Sequence, residues 1–211
     1  MKWKELLDIV GREPCFTSSL LMAGKEASGG IRLQLSRWVA TGKIIQLRRG
    51  LYLLAEPYRK VSPHPFLLAN NLKKASYVSL QSALGFYGLI PEYVPSVTCV
   101  TTMRPETVEN PEGNFIFKHV KKSFFNNYQQ IVLSDQQTAF IASPEKALLD
   151  LIYLMPHADS PEYLQELRLQ NTGTINLESL KYIAESSESP KLTRATKQII
   201  NLISQEQYKE L

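Results

Sequence analysis

Residues 28–54 read Ser28-GGIRLQLSRWVATGKIIQLRRGLYL-Leu54, and no other stretch constrains the architecture so tightly. Ser28 is a good helix cap. Ile31, Leu35, Trp38 and Val39 then recur at i, i+4, i+7 and i+8, the apolar face of an amphipathic helix. Gly42 stops it. Ile44–Leu47 and Leu51–Leu54 are short β-branched and leucine-rich runs on either side of Arg48-Arg49-Gly50, where glycine supplies the positive φ of a tight turn. A helix followed at once by a basic hairpin is the second half of a winged helix-turn-helix, which offers one helix to a DNA groove and a charged loop to the backbone beside it.

Upstream, Trp3, Leu6, Leu7 and Val10 have helical spacing and Gly11 ends that helix. Pro14-Cys15-Phe16 is a break. Thr17 or Ser18 caps a second short helix running through Met22, closed by Gly24. Residues 1–56 therefore form the expected DNA-binding domain, and the proline-rich stretch 57–65 is the expected linker.

Charge follows the same division. The chain of 211 residues carries 24 Lys/Arg against 20 Asp/Glu, a net charge of +4. Residues 1–60 hold 11 basic and 5 acidic side chains, so the surplus lies in the N-terminal quarter, where a nucleic-acid-binding module would place it. The two cysteines, Cys15 and Cys99, have no metal spacing and form no disulfide framework, which points to a reducing, cytoplasmic setting. The N-terminus carries charges inside its apolar pattern and is not a signal peptide. No apolar run reaches the roughly 18–20 residues of a membrane span.

With its apolar stripe turned inward, the third helix presents Gly30, Leu33, Gln34, Arg37 and Thr41 on the opposite side. Gln34 and Arg37 have the donors and acceptors to read adenine and guanine edges, and Leu33 suits a thymine methyl. Ser28, Gly29 and Gly30 expose backbone N–H groups at a helix N-terminus, suited to a phosphate. Arg48 and Arg49 at the hairpin tip are expected against phosphates or in a minor groove, and Lys25 and Lys43 flank the helix for backbone contacts.

Residues 66–211 read as a mixed α+β unit, helical from about Pro156. Phe66–Lys74 and Ser79–Tyr87 have helical patterns. Ser96–Thr102, Asn114–Val120, Gln130–Leu133 and Thr138–Ala142 alternate like strands. Ser143-Pro144 opens a strong helix with Ser as N-cap and Pro at the first position. Pro161–Leu169, Leu177–Glu185 and Pro190–Tyr208 follow as helices. Two further basic groups stand out. Lys118, Lys121 and Lys122 precede Phe124, Phe125 and Tyr128, a basic and aromatic interleaving that either stacks single-stranded nucleic acid or marks a solvated strand end beside an aromatic plug. Lys191, Arg194 and Lys197 lie off the apolar face of the last helix, as a second DNA-facing stripe or a plain solvated one.

Enzyme chemistry is poorly supported. Ser143-Pro-Glu-Lys146 spells S-x-x-K, but the accompanying K-T-G and S-D-N elements are missing, and Ser143 already has a role as a cap. Glu145 and Asp150 stand at i, i+5 and form no evident carboxylate pair. His64, His119 and His157 stand alone, without metal spacing. No catalytic residue, metal or cofactor is expected.

Three segments in order resemble the AbiEi antitoxins, predicted transcriptional regulators of phage-defence loci. They are Arg37-Trp38 through Gly42-Lys43-Ile44 to Leu47-Arg48-Arg49-Gly50-Leu51-Tyr52; Tyr77-Val78-Ser79-Leu80-Gln81-Ser82-Ala83-Leu84 with Tyr87-Gly88-Leu89-Ile90-Pro91; and Ile141-Ala142-Ser143-Pro144-Glu145-Lys146-Ala147-Leu148-Leu149-Asp150. The first is only moderately specific; the three together are much more so, and the likeness spans roughly residues 1–155. The resemblance implies an abortive-infection antitoxin of a type IV toxin–antitoxin system. Such a protein represses its own operon by binding inverted repeats in promoter DNA. Its C-terminal domain counters a nucleotidyltransferase-like toxin without a stable complex. The alternative from the residues alone is a winged-helix transcription factor whose second domain senses a ligand or partner.

Overall fold

The computed structural model describes residues 1–22, 28–92 and 94–209, with the side chains of 28, 135 and 206–209 left aside. The fold is α+β with two sheets. In the first unit, α1 (Trp3–Val10), β1 (Phe16–Thr17), α2 (Ser18–Met22) and α3 (Ser28–Ala40) lead into a hairpin of β2 (Ile44–Arg48) and β3 (Leu51–Leu54). The two-residue β1, not foreseen in the sequence, pairs antiparallel with β3, giving a three-stranded sheet in the order β1-β3-β2. Leu6, Val10, Phe16, Leu21, Ile31, Leu35, Trp38, Ile44, Tyr52 and Leu54 form its core. Trp3 seals one edge, with its ring edge-on to Trp38 at 5.2 Å and to Tyr58 at 4.9 Å.

The second unit holds α4 (Pro65–Leu72), β4 (Ser76–Val78), α5 (Leu80–Phe86), β5 (Ser96–Thr101), β6 (Glu106–Asn110), β7 (Gly113–His119), β8 (Tyr128–Val132), β9 (Thr138–Ala142), α6 (Pro144–Leu154), α7 (Pro161–Glu166), α8 (Leu177–Ser186) and α9 (Pro190–Lys209). Its six-stranded mixed sheet runs β6-β7-β5-β4-β9-β8, parallel at β7-β5 and β4-β9 and antiparallel elsewhere. β4 and β6 were not foreseen. β4 has three residues, all buried, too few to show alternation. β6 is the polar edge strand Glu-Thr-Val-Glu-Asn, and it reads as loop in sequence.

The two units are not independent beads. All four residues of β3 are buried. Successive side chains of a strand point to opposite faces. Tyr52 and Leu54 accordingly enter the first core, while Leu51 and Leu53, with Leu47, belong to the core of the second unit beside Leu68, Leu72 and Tyr77. The expected linker is bound along its length. Arg59 pairs with Glu112 at 2.8 Å, His64 N–H donates to Gln137 Oε1 at 2.7 Å, and Gln137 Nε2 donates to the Ser62 carbonyl at 2.8 Å. The two cores do not divide cleanly at 57–65, because Leu47, Leu51 and Leu53 of the first unit pack into the second core.

α6 organises the second unit. The Ser143 side chain accepts from Lys146 N–H at 3.2 Å and Pro144 takes the first position, as expected. Ala147, Leu148, Leu149, Leu151 and Ile152 leave the helix apolar almost all round, so its charges are buried too. Lys146 and Asp150, one helical turn apart, form an ion pair with no solvent exposure on either side. Tyr77 Oη and Ser79 Oγ donate to Asp150 Oδ2 at 3.0 and 2.7 Å, and the ammonium lies 3.5 Å from the Phe124 ring centroid. Burial pushes the Lys146 ammonium down and the Asp150 carboxyl up from their ordinary values, and each partner opposes the other's shift. Glu145 accepts from Asn176 N–H at 2.8 Å and anchors the start of α8.

Candidate nucleic-acid interface

Helix α3 is built from its ends. At its C-terminus Lys43 N–H donates to the Trp38 carbonyl at 2.9 Å and Gly42 N–H to the Val39 carbonyl at 3.0 Å. This reciprocal pair is a Schellman cap, and it requires Gly42 in the left-handed region, at φ +68°. A Cβ at Gly42 would touch nothing, so Gly42→Ala isolates the backbone strain. It should lower unfolding free energy by about 1–2 kcal/mol in a urea titration. The Thr41 hydroxyl donates to the Arg37 and Trp38 carbonyls at 3.0 and 3.3 Å, completing the cap.

Ile31, Leu35 and Trp38 are buried, and Val39 is half-buried. The outward face consists of Gly29, Gly30, Arg32, Leu33, Ser36, Arg37, Ala40 and Thr41, all exposed, with Leu33 at 54%. Gln34 is half-buried on the flank, so it stands less openly than its place in the sequence suggested. Arg32 and Ser36 were missed. Counting Val39 as fully inward turned the expected outer arc away from Arg32, which lies only about 20° beyond Val39 on the helical wheel. The Ser36 hydroxyl is spent on the Arg32 carbonyl at 3.1 Å. Ser28 starts the helix; Lys25 lies outside the described residues. Lys43 is half-buried and places its ammonium 5.1 Å from the Trp3 ring centroid, where it supports the first unit's packing.

The hairpin tip divides its two arginines. Gly50 turns it at φ +85°, and its carbonyl accepts from Ser18 N–H at 2.9 Å, so the tip sits against the start of α2. Arg49 is exposed and makes no ion pair or hydrogen bond among the described residues. Arg48 does not stand free, contrary to expectation. Its guanidinium donates to the Leu72 carbonyl at 2.6 Å and to both Glu106 oxygens at 3.2 and 3.3 Å. Lys73 also donates to Glu106 Oε1, at 2.5 Å. The Lys73 hydrogen bond, with help from Arg48, holds the Glu106 carboxyl below the usual carboxylate range. A carboxylate whose folded pKa is depressed adds stability above its unfolded pKa, and that stability is lost as pH falls through the folded value. Wild type should therefore lose stability relative to Glu106→Gln below about pH 5, measured as urea midpoints across a pH series.

The other basic groups are partly committed. Lys121 Nζ donates to the Ser187 carbonyl at 3.1 Å, and Lys191 Nζ to the Met155 carbonyl at 2.5 Å. Arg194 holds Asp159 with two donors at 3.1 and 2.7 Å. Lys191 and Arg194 therefore tie α9 to the chain that follows α6, which does not make the stripe expected with Lys197. Lys118, Lys122 and Lys197 are exposed. Of the neighbouring aromatics, Phe124 is buried over Lys146 as a core plug, while Tyr128 stacks on Tyr77 at 4.6 Å and stays 37% exposed.

No group of three or more His, Cys, Asp or Glu among the described residues is placed to hold a metal ion. His64 accepts from Phe66 N–H at 3.1 Å and caps α4, and burial lowers its pKa. Lys146, the lysine of S-x-x-K, turns its ammonium to Asp150 while Ser143 caps the helix. None of the described helices is long and apolar enough to cross a membrane.

No family model and no curated protein matches the chain. Among solved structures it is similar to the RV2827C protein of Mycobacterium tuberculosis, with a TM-score of 0.54 at 15% identity, over 92% of this chain and 75% of that one. At that identity the likeness is one of fold.

Proposed function

We propose that the chain is a DNA-binding transcriptional repressor of its own operon and an antitoxin of the abortive-infection type. The carrying observation is the outer face of α3: Arg32, Leu33 and Arg37 are exposed together, and neither guanidinium has a partner among the described residues. Arginines with a structural task in this chain are paired, as Arg48, Arg59, Arg168 and Arg194 are. The order helix, strand, helix, helix, hairpin, with the first strand pairing on β3, supports the winged helix-turn-helix reading. In this reading α3 enters the major groove, its N-terminal Gly29 and Gly30 approach a phosphate, and Arg49 meets the backbone alongside.

The antitoxin half of the proposal rests on the likeness to AbiEi proteins in three ordered segments. Two of them, Tyr77–Leu84 and Ile141–Asp150, meet in space at the buried Lys146–Asp150–Tyr77–Ser79 cluster. That makes them structural signatures of the second unit. The test is co-expression with the nucleotidyltransferase-like gene expected next to this one. Deleting residues 1–60 would uncover Leu68 and Leu72, so surface substitutions are the better separation. The full chain with Arg37→Ala and Arg49→Ala should lose promoter binding yet still restore growth. Loss of rescue in that variant would show that neutralisation runs through DNA binding; no rescue by wild type would remove the antitoxin reading.

A further inference from the structure

The contact between Arg48 and Glu106 joins elements 58 residues apart. It joins the tip of the proposed DNA-contacting hairpin to the edge strand of the other unit. Arg48 has the chemistry of a phosphate ligand and stands beside Arg49, yet three of its five N–H donors are taken: one carboxylate engages both terminal nitrogens, and the Leu72 carbonyl takes a third bond. Both Arg48 and Glu106 keep some exposure, 41% and 29% of their side chains, so a competing anion can reach the pair. Lys73, only 7% exposed, fixes Glu106 from behind and sits over the Phe117 ring at 5.6 Å. The carboxylate is thus held in place by one cation while it masks another. A duplex phosphate would have to displace Glu106 to take both terminal nitrogens of Arg48, whereas Arg49 is open at once.

We propose that Glu106 is an intramolecular brake on DNA binding, a phosphate mimic on the second unit that withholds Arg48 from the duplex. The proposal rests on the DNA-binding reading above. It gives the second unit a direct handle on the reading head: whatever moves β6 or occupies Glu106 frees a cation at the hairpin tip.

The test uses the full chain and a random-sequence duplex across a salt series, with thermal unfolding to confirm that each variant is folded. Glu106→Gln cannot hold Arg48 with two charge-assisted bonds. It should steepen the log–log salt slope by roughly 0.9 and tighten binding on the order of 5–10-fold near 0.1 M salt, the value of one added phosphate contact. Arg48→Ala in the wild-type background should leave the slope unchanged, and in the Glu106→Gln background it should abolish the gain. An unchanged slope in Glu106→Gln overturns the proposal. So does a gain that survives Arg48→Ala, which would be mere loss of repulsion between Glu106 and DNA. A flattened slope in Arg48→Ala alone would show that Arg48 already contacts phosphate. If wild type binds no duplex at any salt, both the brake and the reading it rests on fail; if it binds and the variants do not separate, only the brake fails.

Discussion

Lys146→Met should destabilise the protein by about 3–5 kcal/mol, the cost of leaving one partner of a buried ion pair without the other. Total stabilities of folded domains are about 5–15 kcal/mol, so this one side chain can decide whether the chain is folded at growth temperature. The size follows from geometry. Asp150 has no solvent exposure, and its other ligands, Tyr77 and Ser79, are neutral donors that satisfy its oxygens without balancing its charge. Removing the ammonium also strips a cation from between Phe124 and Tyr77. The double change Lys146→Met with Asp150→Asn should recover part of the loss, because the amide oxygen still accepts from Tyr77 and Ser79 and no bare charge remains. Urea unfolding of the two variants beside wild type checks both statements. A loss below about 1 kcal/mol in Lys146→Met would mean that water or another cation reaches Asp150, against the observed burial.

The largest functional effect is expected from α3. Arg37→Ala should weaken binding to the chain's own upstream DNA by about 1–3 kcal/mol, roughly 5–150-fold, and relax preference at one base position. Arg49→Ala should weaken all sequences alike and reduce the salt slope by about 0.9. Arg32, exposed on the other side of Leu33, should behave in one of these two ways, and the salt slope tells which. These contrasts separate base reading from backbone contact, which a single loss of affinity cannot do. Uniform weakening by Arg37→Ala on every sequence would remove it as a base reader. Equilibrium titration of each variant on upstream and scrambled duplexes gives both quantities.

Much of this is legible in the sequence. Ile31, Leu35 and Trp38 carry a helical period, Gly42 and Gly50 mark left-handed turns, and Ser143-Pro144 starts a helix; all are local signals, and the structure keeps each one. What was hidden is what depends on distance along the chain. Arg48 reads as a free hairpin-tip cation, and only the fold brings Glu106 to it. Phe16–Thr17 is too short to show a period, and β6 hides in polar residues. Lys146 and Asp150 were readable in principle. They stand at i, i+4 on a helix whose remaining positions are nearly all apolar, and a helix without a solvent face must pair its charges internally. Weighing Lys146 only with Ser143, and Asp150 only with Glu145, leaves the second unit's central cluster unread.

The central claim, that α3 and the hairpin tip form a DNA-reading surface, is most directly tested by titrating the full chain against its own upstream duplex and a scrambled duplex of equal length across a salt series. The account predicts that log K falls linearly with log salt on both, and that the upstream duplex is bound more tightly by about 10³-fold or more at physiological salt. Equal affinity for the two duplexes, or no binding even at low salt, would contradict it.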